Sequence, residues 1–564
     1  METDIKNLFN EQASGKRPRR KKTRSKQVFK AYQQHQTMLL PPSLEELIPE
    51  SHLARVVNTT IDGLNLEPLL ASYTGGGTSA FHPLMMLKTL VYAYLSKVYA
   101  SRRIAKALRE DVNFMWLSGM NRPDFRTINL FRSSRLKEVI DQVFGSMVIF
   151  LEHHGYIDLN EYFVDGTKLR ADSNRHKVVW AKNTKRYKES VQQKIQELLQ
   201  KIESVNNEEN AHYGENDLEE CGNHTTLTST DVKEQIQQLK TIVGQTLPKK
   251  ETVKAIKMME NKLLPKLEGY EQQEQTLAGR NSYAKTDPDA TFFRMKDEQL
   301  LPAYNLLMGT QHQFILNYSF HQRKASETDG LRAHLEHFHQ MTGRYPACMI
   351  GDSAYGSQEN YALLEQHQIG NYLKYNTFHL EQQNKYRNDP YRKENFAYDL
   401  SSDTYSCPQD RHLVLRDIKP RTTDNGYQTT VRIYQCRECR DCPAAGQCKR
   451  GMGNRSIQVN PMLETYRAQA RANLTSERGL ALRKQRNVDI ESVFGDIKYN
   501  QGYGRCRLRG RAKVNVEIAL LSIAHNTKKI ALRLNNTSLS QSAIALACVN
   551  PLSVSITLDF QRTF

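Results

Sequence analysis

Three acidic residues stand where side chains could share metal ions. Asp165 closes the apolar run Tyr162-Phe163-Val164 and is followed by Gly166 and Thr167. Asp352 closes a second run, Cys348-Met349-Ile350-Gly351, ahead of Ser353-Ala354-Tyr355-Gly356. Both patterns read as strands that bring a carboxylate to the rim of a sheet, where sites in open sheets gather. Glu491 lies in Val488-Asp489-Ile490-Glu491-Ser492-Val493-Phe494, whose spacing predicts a helix able to pack across that rim. Mg2+ and Mn2+ prefer carboxylate oxygens. Two such ions about 4 Å apart can activate an oxygen nucleophile and stabilise charge at a phosphodiester. One carboxylate bridging them and two flanking them is the least a protein must supply. Taken singly, each residue has an ordinary alternative: Asp165-Gly166 a turn, Asp352-Ser353 a helix cap, Glu491 a surface glutamate.

The bulk charge points to a polyanion. The 564 residues carry 79 Lys and Arg against 61 Asp and Glu, a net charge of +18, and such an excess favours nucleic acid. Residues 16–26 hold eight basic side chains in eleven, which predicts a basic, unfolded, phosphate-binding arm over 1–36. After Glu491 come Lys498, then Arg505, Arg507, Arg509, Arg511 and Lys513 with glycines between, a loop suited to lie along phosphates. No apolar run is long enough to cross a membrane. Nine cysteines, unevenly spread and odd in number, argue against a disulfide framework and for reduced thiols in a cytoplasmic compartment.

These features need elements to position them, and the pattern divides the chain into six. Residues 37–150 predict a helical, DNA-binding domain. Ser43 and Glu46 form a possible capping box, Gly75-Gly76-Gly77 a break, Pro83 a helix start and Ser101 a cap. The stretch from Asp124 to Arg132, with Arg126, Asn129, Arg132 and Arg135 on its polar side, suits the last helix of a helix-turn-helix reading a groove; its bland counterpart is a solvated basic face. Residues 281–400 alternate strand and helix signals and, with the strand before Asp165 in 151–177 and the basic, helical residues 459–535, predict a mixed sheet flanked by helices, with a hairpin joining strands near 304–308 and 314–318. Residues 178–280, rich in Gln, Glu and Lys with heptad-like apolar spacing, predict an inserted helical, coiled-coil-like arm. Residues 401–458 hold Cys407 and then Cys436, Cys439, Cys442 and Cys448 in the pattern C-x2-C-x2-C-x5-C. Four thiolates so spaced can converge on a structural Zn2+; five are available, and His412 is a further donor. Residues 536–564 form a tail with no readable chemistry. The fold class expected is therefore multidomain and mixed α+β.

Phe163-Val164-Asp165-Gly166-Thr167, Ile350-Gly351-Asp352-Ser353-Ala354-Tyr355 and the segment from Ile490 to Lys498 resemble a DDE transposase of a bacterial insertion sequence. Arg509-Gly510-Arg511, Asn526 and Leu40-Pro41-Pro42-Ser43-Leu44 also fit, and the resemblance covers nearly the whole chain. It implies a ribonuclease-H-like core and catalysis by Asp165, Asp352 and Glu491 with two Mg2+ (or Mn2+). It further implies strand cleavage at terminal inverted repeats and transfer of the freed 3′-OH ends to target DNA. A dimer assembled on double-stranded DNA follows, since two ends must be joined. The family's lysine seven positions after the glutamate is matched by Lys498. Its arginine about four positions before is not: Asn487 stands there, with Arg486 adjacent. The competing readings are a metal-dependent nuclease on the same core and a non-catalytic DNA-binding regulator.

Overall fold

The computed structural model describes residues 43–73, 80–213, 227–245, 250–322, 330–423, 426–449 and 451–536. The basic arm, the triple glycine and the tail after residue 536 lie outside them. Of the described residues, 43–47 belong to one unit and those from Ile48 to Asn536 to a second. Within the first, Ser43–Leu47 is turn rather than capped helix. The Glu46 and Leu47 N–H groups donate to the carbonyls of Ser43 and Leu44 at 3.1 and 3.2 Å, and Pro49 soon afterwards leaves no room for a helix to grow.

In the larger unit a run of helices comes first: Leu53–Asp62, Pro83–Leu95, Ser101–Glu110, Val112–Leu117 and Phe125–Leu130, the last continuing through a π turn into Leu136–His153. Local chemistry sets their starts. Pro83 occupies the first turn, where no N–H is needed. Asp111 and Asp124 accept the N–H groups of Asn113 (2.8 Å) and Thr127 (2.7 Å). Ser101 is not the cap its sequence predicted. Ala100 takes that position, and the Ser101 hydroxyl accepts instead from Arg132. Pro83–Leu95 is buried along nearly its whole length because it lies against the C-terminal helix Arg511–Asn536.

The strands are β1 (Glu161–Arg170), β2 (Val178–Trp180), β3 (Ser282–Ala284), β4 (Thr291–Arg294), β5 (Leu300–Gln311), β6 (Phe314–Phe320), β7 (Cys348–Gly351) and β8 (Gly370–Leu373). The main sheet runs β4-β5-β1-β7-β8, with β6 also on β5. β1 is antiparallel to β5 but parallel to β7, and β7 is parallel to β8. The expected hairpin is β5–β6. It turns at His312 and Gln313, both at positive φ, as a two-residue hairpin requires. Gly309 in β5 is a close-approach position: a Cβ there would stand 2.0 Å from the Tyr162 ring.

β1 differs from expectation in length. Instead of ending at Asp165, it runs on to Arg170, because β5 supplies partners along the whole stretch from Phe163 to Arg170. Helices Glu477–Gly495 and Arg511–Asn536 cover the sheet. One continuous apolar core joins the first helices, the sheet and both of these helices.

Two additions have their own cores. Helices Ala181–Tyr213, Ser229–Gln245 and Lys250–Met258, the last continuing into Leu264–Leu277, pack around Ile195, Ile202, Ile236, Met259 and Leu267. The β2–β3 ribbon closes their base. The other addition is a five-stranded antiparallel sheet, β13-β12-β11-β10-β9, of strands β9 (Ala397–Asp399), β10 (Thr404–Ser406), β11 (His412–Thr422), β12 (Gln428–Cys436) and β13 (Ser456–Val459). Its small core includes Leu413, Tyr434, Cys436 and Cys439.

Candidate active site

β1 and β7 pair only over Glu161–Phe163 and Cys348–Ile350. Two residues on from the Phe163–Ile350 pair the same register brings Asp165 beside Asp352. By then β7 has ended at Gly351, so the edge of β1 beyond Val164 opens on that side. Asp352 therefore follows its strand, as the sequence predicts, whereas Asp165 sits inside a strand that has outlasted its neighbour. Gly356 lets the turn after Asp352 seat against the next strand: a Cβ there would meet the Lys374 carbonyl at 2.2 Å.

The helix Glu477–Gly495 crosses β1, β5 and β7. Ser476 caps its start, its hydroxyl accepting the Gly479 N–H at 3.0 Å. Leu482, Ile490 and Val493 face the core. Buried Asp489 accepts the Gln313 N–H at 3.0 Å and so pins the helix to the β5–β6 turn. Asn526, on the C-terminal helix, holds β6 from the other side, exchanging hydrogen bonds with the Ile315 N–H (2.8 Å) and carbonyl (2.9 Å).

This placement brings Asp165 and Glu491 to one arginine. Arg486 is only 5 % exposed; its guanidinium lies 2.8 Å from Asp165 Oδ2 and 3.6 Å from Glu491 Oε1. Asp352 feels it too. Burial alone would raise the Asp352 carboxyl, but the Ser353 N–H, Arg486, Lys374 and His379 outweigh it and hold the group below the usual carboxylate range. Lys374, one residue past β8, stands 3.7 Å from Asp352 Oδ1, and burial lowers its ammonium. Lys498 donates to the Thr167 hydroxyl on β1. Burial, with Lys296 nearby, pushes its ammonium down to about 8. The carboxylate oxygens are the donor type that hard divalent cations take. Even so, among the described residues no group of three or more His, Cys, Asp or Glu is arranged to hold a metal ion; Arg486 stands between the carboxylates instead.

Arg486 and Lys374 are the site residues that sequence reasoning undervalued. Lys374 had a signal: it follows its strand as Asp352 follows β7. Arg486 had none beyond its adjacency to the family's arginine position.

The expected DNA contacts divide. Arg126 is exposed, beside Phe125 and Arg102 on a shallow groove between helix starts. Arg132 is a correction. It is 3 % exposed and donates to Tyr94 Oη, the Tyr99 carbonyl and Ser101 Oγ, so it braces the interior. In the glycine-rich loop, Arg505 and Arg509 pair with Asp172 at 2.6 and 2.9 Å, and Arg507 lies over the Tyr99 ring. Arg511 and Lys513 are exposed. The loop is fastened from beneath: Cys506 N–H donates to the Arg170 carbonyl at 2.8 Å. Buried Glu517 accepts the Arg507 and Leu508 N–H groups at 2.9 and 2.8 Å.

Cys407, Cys436, Cys439, Cys442 and Cys448 line one pocket together with Arg411, Lys449 and Arg455. Burial, with Cys439 alongside, pushes the Cys436 thiol up to about 11. His412 is outside this pocket; its ring bonds Ser406 at 3.2 Å.

No helix among the described residues is long and apolar enough to cross a membrane. No curated protein matches the chain. Residues 42–134 match the family described as "Transposase domain (DUF772)". Residues 406–531 match "Transposase DDE domain", a span that includes the cysteine pocket, Arg486, Glu491 and Lys498 but neither Asp165 nor Asp352. Together the two matches make the chain similar to insertion-sequence DDE transposases.

Proposed function

We propose that this chain cuts DNA at the ends of an insertion sequence and transfers the freed 3′-OH ends to target DNA, with Asp165, Asp352 and Glu491 as its catalytic carboxylates on a ribonuclease-H-like core. Transposases of these families bind and cleave DNA; what supports the finer reading is one observation. Asp165 and Glu491, 326 positions apart in sequence, face a common guanidinium where β7 stops and β1 continues, and Asp352 follows the end of β7.

Two divalent cations held by these carboxylates would supply the Lewis acid that activates the attacking oxygen and steadies the leaving one. The chain's own groups do the rest. Lys374 and Lys498 flank the site on the β8 and β1 sides and are suited to grip phosphate oxygens of the strand to be cut. Exposed Arg126, Arg511 and Lys513 contribute sequence-independent phosphate affinity, with Arg505, Arg507 and Arg509 held in place along the same loop. Double-stranded element ends and target DNA are the substrates, and a dimer forms on DNA because two ends must be joined.

The cysteine module holds a structural Zn2+ through four of its five thiols. Their shared pocket and the small core around it support this. Elemental analysis of freshly purified protein finding no stoichiometric zinc would reject it.

The central test uses a labelled element end with Mg2+. Wild type gives nicked and strand-transferred products, while Asp165→Asn, Asp352→Asn and Glu491→Gln give neither. Full activity in any one of these variants overturns the assignment. Cleavage without strand transfer in the wild type would leave a nuclease in its place.

A further inference from the structure

An arginine buried as deeply as Arg486 is costly unless it is paired and its donors are satisfied. Its pairing is unusual on both counts. Its anionic partners are Asp165 and Glu491, two of the three carboxylates expected to bind cations. The third, Asp352, is paired with Lys374 at 3.7 Å instead. Nε, meanwhile, is buried without a hydrogen-bond partner. The guanidinium is thus held by the carboxylates and by little else. Carboxylates held this close repel one another when nothing cationic lies between them; Arg486 is the cation between Asp165 and Glu491, while Lys374 stands beside Asp352.

We propose that Arg486 is a resident counter-cation that competes with divalent ions for Asp165 and Glu491. It keeps the carboxylates together before the ions bind, and it sets ion affinity below what the carboxylates alone would give. Cation binding then requires Arg486 to give up one or both of its partners and leaves a guanidinium available to a phosphate. It is a positioning residue, acting through the carboxylates. The inference rests on the three-carboxylate reading above.

The test measures Mn2+ binding to full-length protein without DNA, by calorimetry and by the electron-spin resonance of free Mn2+. It compares wild type with Arg486→Gln, and with Arg486→Met, which keeps the aliphatic stem's packing. Removing a unit positive charge from this distance is expected to tighten Mn2+ binding by about tenfold or more. Without Mn2+ the variants should melt lower than wild type, and Mn2+ should raise their melting temperature by more than it raises the wild type's. Folded variants with unchanged or weaker Mn2+ affinity would overturn the proposal and make Arg486 a fixed strut for Asp165. So would failure of both variants to fold even in excess Mn2+. Asp165→Asn, Asp352→Asn and Glu491→Gln separate this from the underlying reading. If those three bind Mn2+ as wild type does, the carboxylate assignment itself fails, whatever Arg486 does.

Discussion

At the scale of the residue, identical side chains have opposite fates, and tertiary partners decide which. Arg126 and Arg132 share one basic helical stretch. The first reaches solvent; the second turns inward onto Tyr94, Tyr99 and Ser101. Arg126→Ala should weaken DNA binding evenly across sequences and reduce the salt slope by about 1. Arg132→Gln should instead cost about 2–3 kcal/mol of stability, the loss of charged hydrogen bonds in the interior, read by urea denaturation. If Lys374 grips the strand as proposed, Lys374→Met should lower cleavage about a hundredfold, as loss of one preorganised electrostatic group does, while leaving the melting temperature near that of wild type. The residue types at the site were legible, because an aspartate after an apolar run and a glutamate at helical spacing each carry a local signature. Arg486 was not, because its meaning depends on carboxylates that only the folded sheet brings near.

At the scale of the element, most strands and helices could be read from periodicity, and the misses have physical reasons. β1 outlasts its expected end because β5 pairs with polar residues as readily as with apolar ones, and backbone pairing has no sequence signature. Its fit also depends on absent atoms. Gly309→Ala would drive a methyl into the Tyr162 ring and should cost about 1–3 kcal/mol or more, the usual range for overpacking, by chemical denaturation. Beside this contact lies a cluster of buried histidines. His334 bridges the Tyr162 hydroxyl and Ser319 Oγ, both at 2.7 Å. Burial, with His321 and His337 adjacent, holds its ring well below the ordinary imidazole range. His321, against the same Ser319, is pushed down to about 4 by burial and by Arg511. These rings stay neutral in the fold, whereas the unfolded chain protonates them near pH 6.5. Stability from them is therefore full above about pH 6.5 and falls as pH drops toward 4. Thermal melts between pH 7.5 and 4.5 should show this loss, and His321→Gln should remove its share of the slope. An unchanged slope would mean that His321 titrates normally.

At the scale of the whole molecule, the long gaps between the carboxylates come from additions with cores of their own. The helical addition after β2 buries Ile195, Ile236 and Leu267 among themselves and rejoins the sheet through the β2–β3 ribbon. Replacing residues 181–277 by a short linker should leave one cooperative unfolding transition in what remains; its loss would show that the core leans on the addition. That this stretch folds into helices was legible from its composition and heptad-like spacing. How the first helices meet the sheet was not: they share its core through the C-terminal helix, a contact that only distant residues make. The place of β1 has a consequence for biosynthesis. β1 lies in the middle of its sheet, yet its partner β5 begins at Leu300. At ribosomal rates of about 5–20 residues per second, roughly 6–26 s pass before that partner exists. For that interval Tyr162, Phe163 and Val164, which end fully buried, travel on a nascent chain without their β5 partner, while the helical addition can already close on itself. Chains stalled on the ribosome after residue 320, with β5 still inside the exit tunnel, should therefore resist protease within the helices of the addition and be cut beside Asp165. Chains stalled only after residue 560 should be protected at both places.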